Sequence, residues 1–140
     1  MRHNLGDCTQ IMEESRFNGA RSTLYQWTEA VASGQVEQVL DLYAPDAILV
    51  PTLANDIIVT QEGRRRYFEF FLSDGSAHCT VDSEEIRVDQ KRCTVTIGGV
   101  YSFCFQRPSG EETVPARFLF TFEEMNSRWL ITGHHSSRCV

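Results

Sequence analysis

Residues 114–137 read VPARFLFTFEEMNSRWLITGHHSS, two β-strands joined by a short polar turn. Along the first strand Phe118, Phe120 and Phe122 share one face, and Arg117, Leu119 and Thr121 share the other. Glu123, Glu124, Asn126 and Ser127 supply the turn, and Trp129 opens a second strand that runs into Gly133-His134-His135-Ser136-Ser137. A hairpin this rich in aromatic residues belongs at the centre of a sheet. Core filling alone explains neither the arginine nor the paired histidines.

Upstream, residues 92–106 (RCTVTIGGVYSFCFQ) form a long strand with Tyr101, Phe103 and Phe105 on one face. Gly98-Gly99 in its middle signals a bulge or sharp bend that lets the sheet curl. Residues 78–88 make a further strand with an acidic centre, and Asp89-Gln90-Lys91 and Pro108-Ser109-Gly110 are the intervening turns. Before Gly75 the periodicity is helical. Leu24, Trp27 and Val31 mark a helix from about Ala20 that Gly34 ends, and Val36, Val39, Leu40 and Tyr43 mark a second one stopped by Pro45. Residues 46–50 (DAILV) suit a short strand packed on both faces. Thr60 is placed to cap a helix through RRRYFEFFLS, whose buried face is Tyr67, Phe68, Phe71 and Leu72, and which Ser73-Asp74-Gly75 closes. The triplet Arg64-Arg65-Arg66 reads as a solvated helix face. Residues 1–18 read as an arm or the start of a helix, and residues 19–140 as one domain.

Helices followed by long antiparallel strands define an α+β fold. A strongly curved, mainly antiparallel sheet with its N-terminal helices on one side forms a half-open cone. Aromatic residues on one strand parity, with arginine or small residues on the other, leave neither face as ordinary solvated surface. That predicts self-association.

Composition narrows the function. A net charge of −6 argues against a nucleic-acid partner. No apolar run is long enough for a bilayer, and no signal-peptide core is evident, so neither a membrane partner nor export is expected and a cytoplasmic location is. The five cysteines show no metal-site spacing, so no metal is expected. No cofactor motif is present, and none of the kinase motifs is either.

Five segments occur in a telling order: Tyr43-Ala44-Pro45-Asp46-Ala47, Val50-Pro51-Thr52-Leu53, Tyr67-Phe68-Glu69, Pro115-Ala116-Arg117-Phe118, and Trp129 through His134-His135-Ser136-Ser137. Over residues 20 to 138 the chain resembles the association (hub) domain of calcium/calmodulin-dependent protein kinase II, within the nuclear-transport-factor-2-like superfamily, and is similar above all to its stand-alone versions. The resemblance implies a nuclear-transport-factor-2-like or cystatin-like roll, homodimers built sheet to sheet, and rings of such dimers. It also implies a cleft for a small carboxylate ligand. Arg117 matches one cleft arginine of the kinase hubs, whereas Tyr101 and Ser136 stand where those hubs carry arginine. The resemblance puts Arg117 in the cavity with Tyr101, Tyr43 and His135, and Phe118, Phe120 and Phe122 at the subunit contact.

The residues also admit other readings. Arg117 could form an internal ion pair with Asp46 or Glu69, since an unpaired buried charge is costly. His134 and His135 point to opposite faces, so at most one enters the cavity. The alternative function is a small cone-fold enzyme, an isomerase, cyclase or dehydratase acting on a small carbonyl compound. Asp46 or His135 would then be its base and Tyr101 a hydrogen-bond donor. A Ser136-His135-Asp46 triad lacks the sequence context of a serine hydrolase.

Overall fold

The computed structural model describes residues 3–73 and 77–140. Helix α1 (His3–Ser33) begins well upstream of the periodic stretch, and Gly34 terminates it in the left-handed conformation, with φ of 71°. Helix α2 (Val36–Leu40) is followed by β1 (Tyr43–Val50), then α3 (Gln61–Phe71), β2 (Ala77–Asp89), β3 (Thr94–Arg107), β4 (Gly110–Met125) and β5 (Arg128–Arg138). The Thr60 hydroxyl accepts from the Gly63 amide at 3.0 Å, capping α3 as its sequence indicates. The proposed stop of α3 at Ser73-Asp74-Gly75 lies partly outside the described residues. Pro45 falls inside β1 rather than ending α2, which an edge strand tolerates.

The five strands lie in the order β1-β5-β4-β3-β2, antiparallel except for the parallel pair β1 and β5. Asn126 and Ser127 both take positive φ, the two-residue turn whose twist suits a tight hairpin, so β4 extends through Glu123 and Glu124 to Met125. The bend near Gly98-Gly99 takes the form of a bulge in the facing strand. Asp82 is skipped in the β2–β3 register, and the Ser83 hydroxyl accepts from the Val100 amide at 3.1 Å.

Helices cover one face of the sheet only. Trp27 of α1 is the hub of the core beneath them, stacked on Tyr101 at 5.7 Å and edge-on to Phe120, Phe103 and Phe68. Phe118, Phe120 and Phe122 are buried in this same core. This corrects their expected place at a subunit contact: strand alternation sends them under α1, and burying three phenylalanines against Trp27 outweighs any exposed placement. Among the described residues no helix covers the opposite, outer face. Ile48 there is 50% exposed, so β1 is not packed on both faces as its apolar run suggested.

Candidate functional site: a buried tyrosine–histidine chain

The interior polar cluster is built by three elements of the sheet and one helix. Trp27 Nε1 donates to the Tyr43 hydroxyl at 3.0 Å, and that hydroxyl lies 2.8 Å from His134 Nδ1. On the other side of the imidazole, Nε2 lies 3.2 Å from the Tyr101 hydroxyl, which donates to Ser136 Oγ at 2.6 Å. Ser136 in turn shares a 2.5 Å hydrogen bond with Thr52. His134 stacks on Phe120 with ring centroids 3.9 Å apart. Burial, and secondarily the neighbouring His135, hold the His134 imidazole down to about 3, so the ring is neutral near pH 7. Burial likewise pushes both Tyr43 and Tyr101 well above the ordinary phenol range.

Of the residues singled out in the sequence, Tyr43 and Tyr101 meet here. His135 does not. It is exposed on the outer face, and His134 is the inward member of the pair. The cause is a one-residue irregularity: β5 pairs Ile131 with Phe122 and Gly133 with Thr121, so Thr132 is extra and the parity of the strand inverts after it. Arg117 is exposed on the outer face as well, with Nη2 3.4 Å from Ser137 Oγ, so it neither enters the cavity nor forms an internal ion pair. Its strand parity is opposite to that of Phe118, which fills the core. Asp46 and Glu69 are exposed too, leaving the conceivable Ser136-His135-Asp46 triad split between the two faces.

Arg64 is the functional-looking residue that the triplet concealed. It is fully buried rather than solvated, with Nη1 donating to the Ala47 carbonyl at 2.8 Å. Its Nη2 reaches the carbonyls of Ala44 and Pro45 and the Gln61 side chain at 3.0–3.1 Å. The guanidinium thereby clamps the irregular stretch of β1 between Tyr43 and Ile48, and it lies 5.8 Å from the Tyr43 ring. It holds in place the strand that presents Tyr43 to His134. The apolar gap that would betray a buried arginine is absent from the sequence, because Arg65 and Arg66 flank it; Arg65 instead pairs at the surface with Glu37.

Two adjoining spaces open from the polar chain. An inner crevice of about 10 Å³, room for a water molecule, is walled by Trp27, Tyr67, Phe68, Phe71 and Phe103, with Thr52, Tyr101, His134 and Ser136 among its polar groups. An outer cleft of about 90 Å³ shares Thr52, Phe71 and Phe103 with it and continues along Phe105 and Val114. Its rim carries Arg138 and an Arg107–Glu112 ion pair of 2.9 Å.

A curved five-stranded sheet around an apolar cavity, with helices on one face, defines the nuclear-transport-factor-2-like class of α+β cone. The chain belongs to the SnoaL-like domain family, whose model matches residues 20–140. A solved structure from Xanthomonas campestris, provisionally named a calcium/calmodulin dependent protein kinase II association domain, is 33% identical. The match covers 83% of this chain and 82% of that one, with a TM-score of 0.77. The association domain of the C. elegans kinase shares the fold at 17% identity and a TM-score of 0.75, over 90% of this chain and 98% of that one. So does a provisionally named dehydratase of the same superfamily from Streptomyces avermitilis, at 11% identity and a TM-score of 0.82, over 91% and 99%. No curated protein matches the chain. Among the described residues no helix is long and apolar enough to cross a membrane.

Proposed function

We propose that this chain is a self-associating, association-domain-like protein whose outer sheet face pairs with the same face of a second copy. The observation that carries this reading is the uncovered apolar surface on that face. Ile48 and Leu119 are 50% and 49% exposed there. Ile58 pairs with Leu49 at the edge of β1 and packs inward, which turns its neighbours Ile57 and Val59 outward beside Ile48, 58% and 54% exposed. Four half-exposed aliphatic side chains on one sheet face are more than scattered surface apolarity. Arg117 lies beside this surface with Asp46 and Glu123, so a two-fold pairing can set opposite charges against each other. The likeness to the Xanthomonas association domain supports the same reading. Sedimentation velocity across a concentration series tests it: the wild type should form dimers or larger rings, and Leu119→Asp should sediment as a monomer. A wild type that stays monomeric throughout removes the proposal.

The interior gives the cone a second capacity, to hold a small ligand against the tyrosine–histidine chain. An enzymatic role would need a base in that cavity. Asp46 and His135 are both on the outer face, and burial makes His134 a weak base, so nothing in the site favours that role over binding.

A further inference from the structure

The geometry points to a ligand class for the interior: a small, uncharged aromatic compound with a hydrogen-bond acceptor, such as an aromatic amide or ketone, held by the Thr52–Ser136 hydroxyl pair. This rests on reading the interior as a ligand cavity and adds to it what the cavity selects.

Hydrogen accounting fixes the polarity of the chain. An indole N–H can only donate, so Tyr43 accepts from Trp27, and its own buried hydrogen is satisfied by His134 Nδ1, the acceptor 2.8 Å away. In a neutral imidazole the remaining hydrogen is then on Nε2, facing the Tyr101 oxygen. Tyr101 therefore passes its hydrogen to Ser136. Ser136 and Thr52 hold two hydroxyl hydrogens but need only one for the bond between them. One donor is left over, on Thr52 where the inner crevice meets the outer cleft or on Ser136 within the crevice. An unspent donor among aromatic walls is complementary to a carbonyl oxygen on an aromatic body.

Charge selects against acids. Among the described residues no charged side chain lines the inner crevice, so a carboxylate carried inward would lose its hydration and meet no counter-charge. The cations near the entrance do not reach in: Arg107 is paired with Glu112, Arg138 is exposed at the rim, and Arg117 is on the other side of the sheet. Phe71, half-buried and 5.3 Å from Phe103, lines both spaces, so the slot we infer forms where its ring turns aside.

The test is an NMR titration of the full chain, following the Trp27 indole N–H with three probes of one shape: benzamide, benzoate and toluene. The Trp27 signal is assigned with Trp129→Phe. Benzamide should shift it and saturate at about tenfold lower concentration than benzoate or toluene, the worth of one neutral hydrogen bond. Thr52→Val, at a half-buried site that keeps the side-chain volume, leaves only the Ser136 hydrogen to spare, inside the crevice and away from the outer cleft, and should cost benzamide part of that advantage while leaving toluene unchanged. Benzoate binding as tightly as benzamide would overturn the ligand class while leaving the cavity intact. Equal binding of toluene and benzamide, unaffected by Thr52→Val, would remove the hydroxyl pair from recognition. No response to any probe would instead remove the ligand-cavity reading itself.

Discussion

At the scale of single residues, the interior is organised by two buried ionisable groups, Arg64 and His134. Arg64 is tolerated because its two terminal nitrogens make four hydrogen bonds to oxygens, three of them β1 carbonyls, although its Nε is buried without a partner. His134 is tolerated because it is neutral, and that has a consequence for pH. In the unfolded chain a histidine binds its proton below about 6.5, whereas folding holds this one down to about 3. Between those values the unfolded state carries the extra proton, so His134 favours folding fully above pH 6.5 and progressively less as pH falls toward 3. The loss across the window is on the order of a few kcal/mol. Thermal unfolding from pH 7 to pH 4 should show a steep fall in Tm for the wild type and a shallower one for His134→Gln. Parallel profiles would mean that other groups set the acid sensitivity.

At the scale of elements, the Gly34 stop of α1 and the Thr60 cap of α3 were legible, whereas the start of α1, the junction of α2 with β1 and the parity of β5 escaped. The Thr132 irregularity adds one residue to β5 and exchanges His135 for His134 as the interior ligand of Tyr43, a change that no alternation pattern displays. The Asp82 bulge was legible from the opposite strand through Gly98-Gly99, because a bulge crowds its partner. The two glycines are not equivalent. A Cβ on Gly99 would stand 1.9 Å from the Ser83 carbonyl oxygen, a backbone atom, whereas on Gly98 its tightest contact would be the exposed Leu119 side chain at 3.1 Å, with the Phe118 carbonyl at an ordinary 3.5 Å. Gly99→Ala should therefore destabilise the fold by about 2–3 kcal/mol and Gly98→Ala by less than about 1 kcal/mol. Urea denaturation of the two variants would check this, and equal midpoints would show that the bulge yields to the added methyl.

At the scale of the whole molecule, the cone was legible in the sequence but its two faces were exchanged. Aromatic residues on alternate positions of β3 and β4 do mark one face, yet Trp27, invisible to strand patterning, converts that face into the core. The case for self-association consequently moves from phenylalanines to the aliphatic outer surface around Leu119 and Ile48. Association through a folded-state surface is coupled to folding by mass action, since a partner that binds only the native chain stabilises it by an amount that grows with the logarithm of its free concentration. Tm should therefore rise with protein concentration in the wild type. In Leu119→Asp, where a carboxylate would be buried at the centre of the contact without a counter-charge, Tm should be independent of concentration. The substitution is on the outer face, away from Trp27 and His134, so the Tm of Leu119→Asp at high dilution should match that of the wild type. A concentration-independent wild type would show that the outer face remains in water, whereas a lower Tm for the variant at high dilution would show that Leu119 supports the monomer itself.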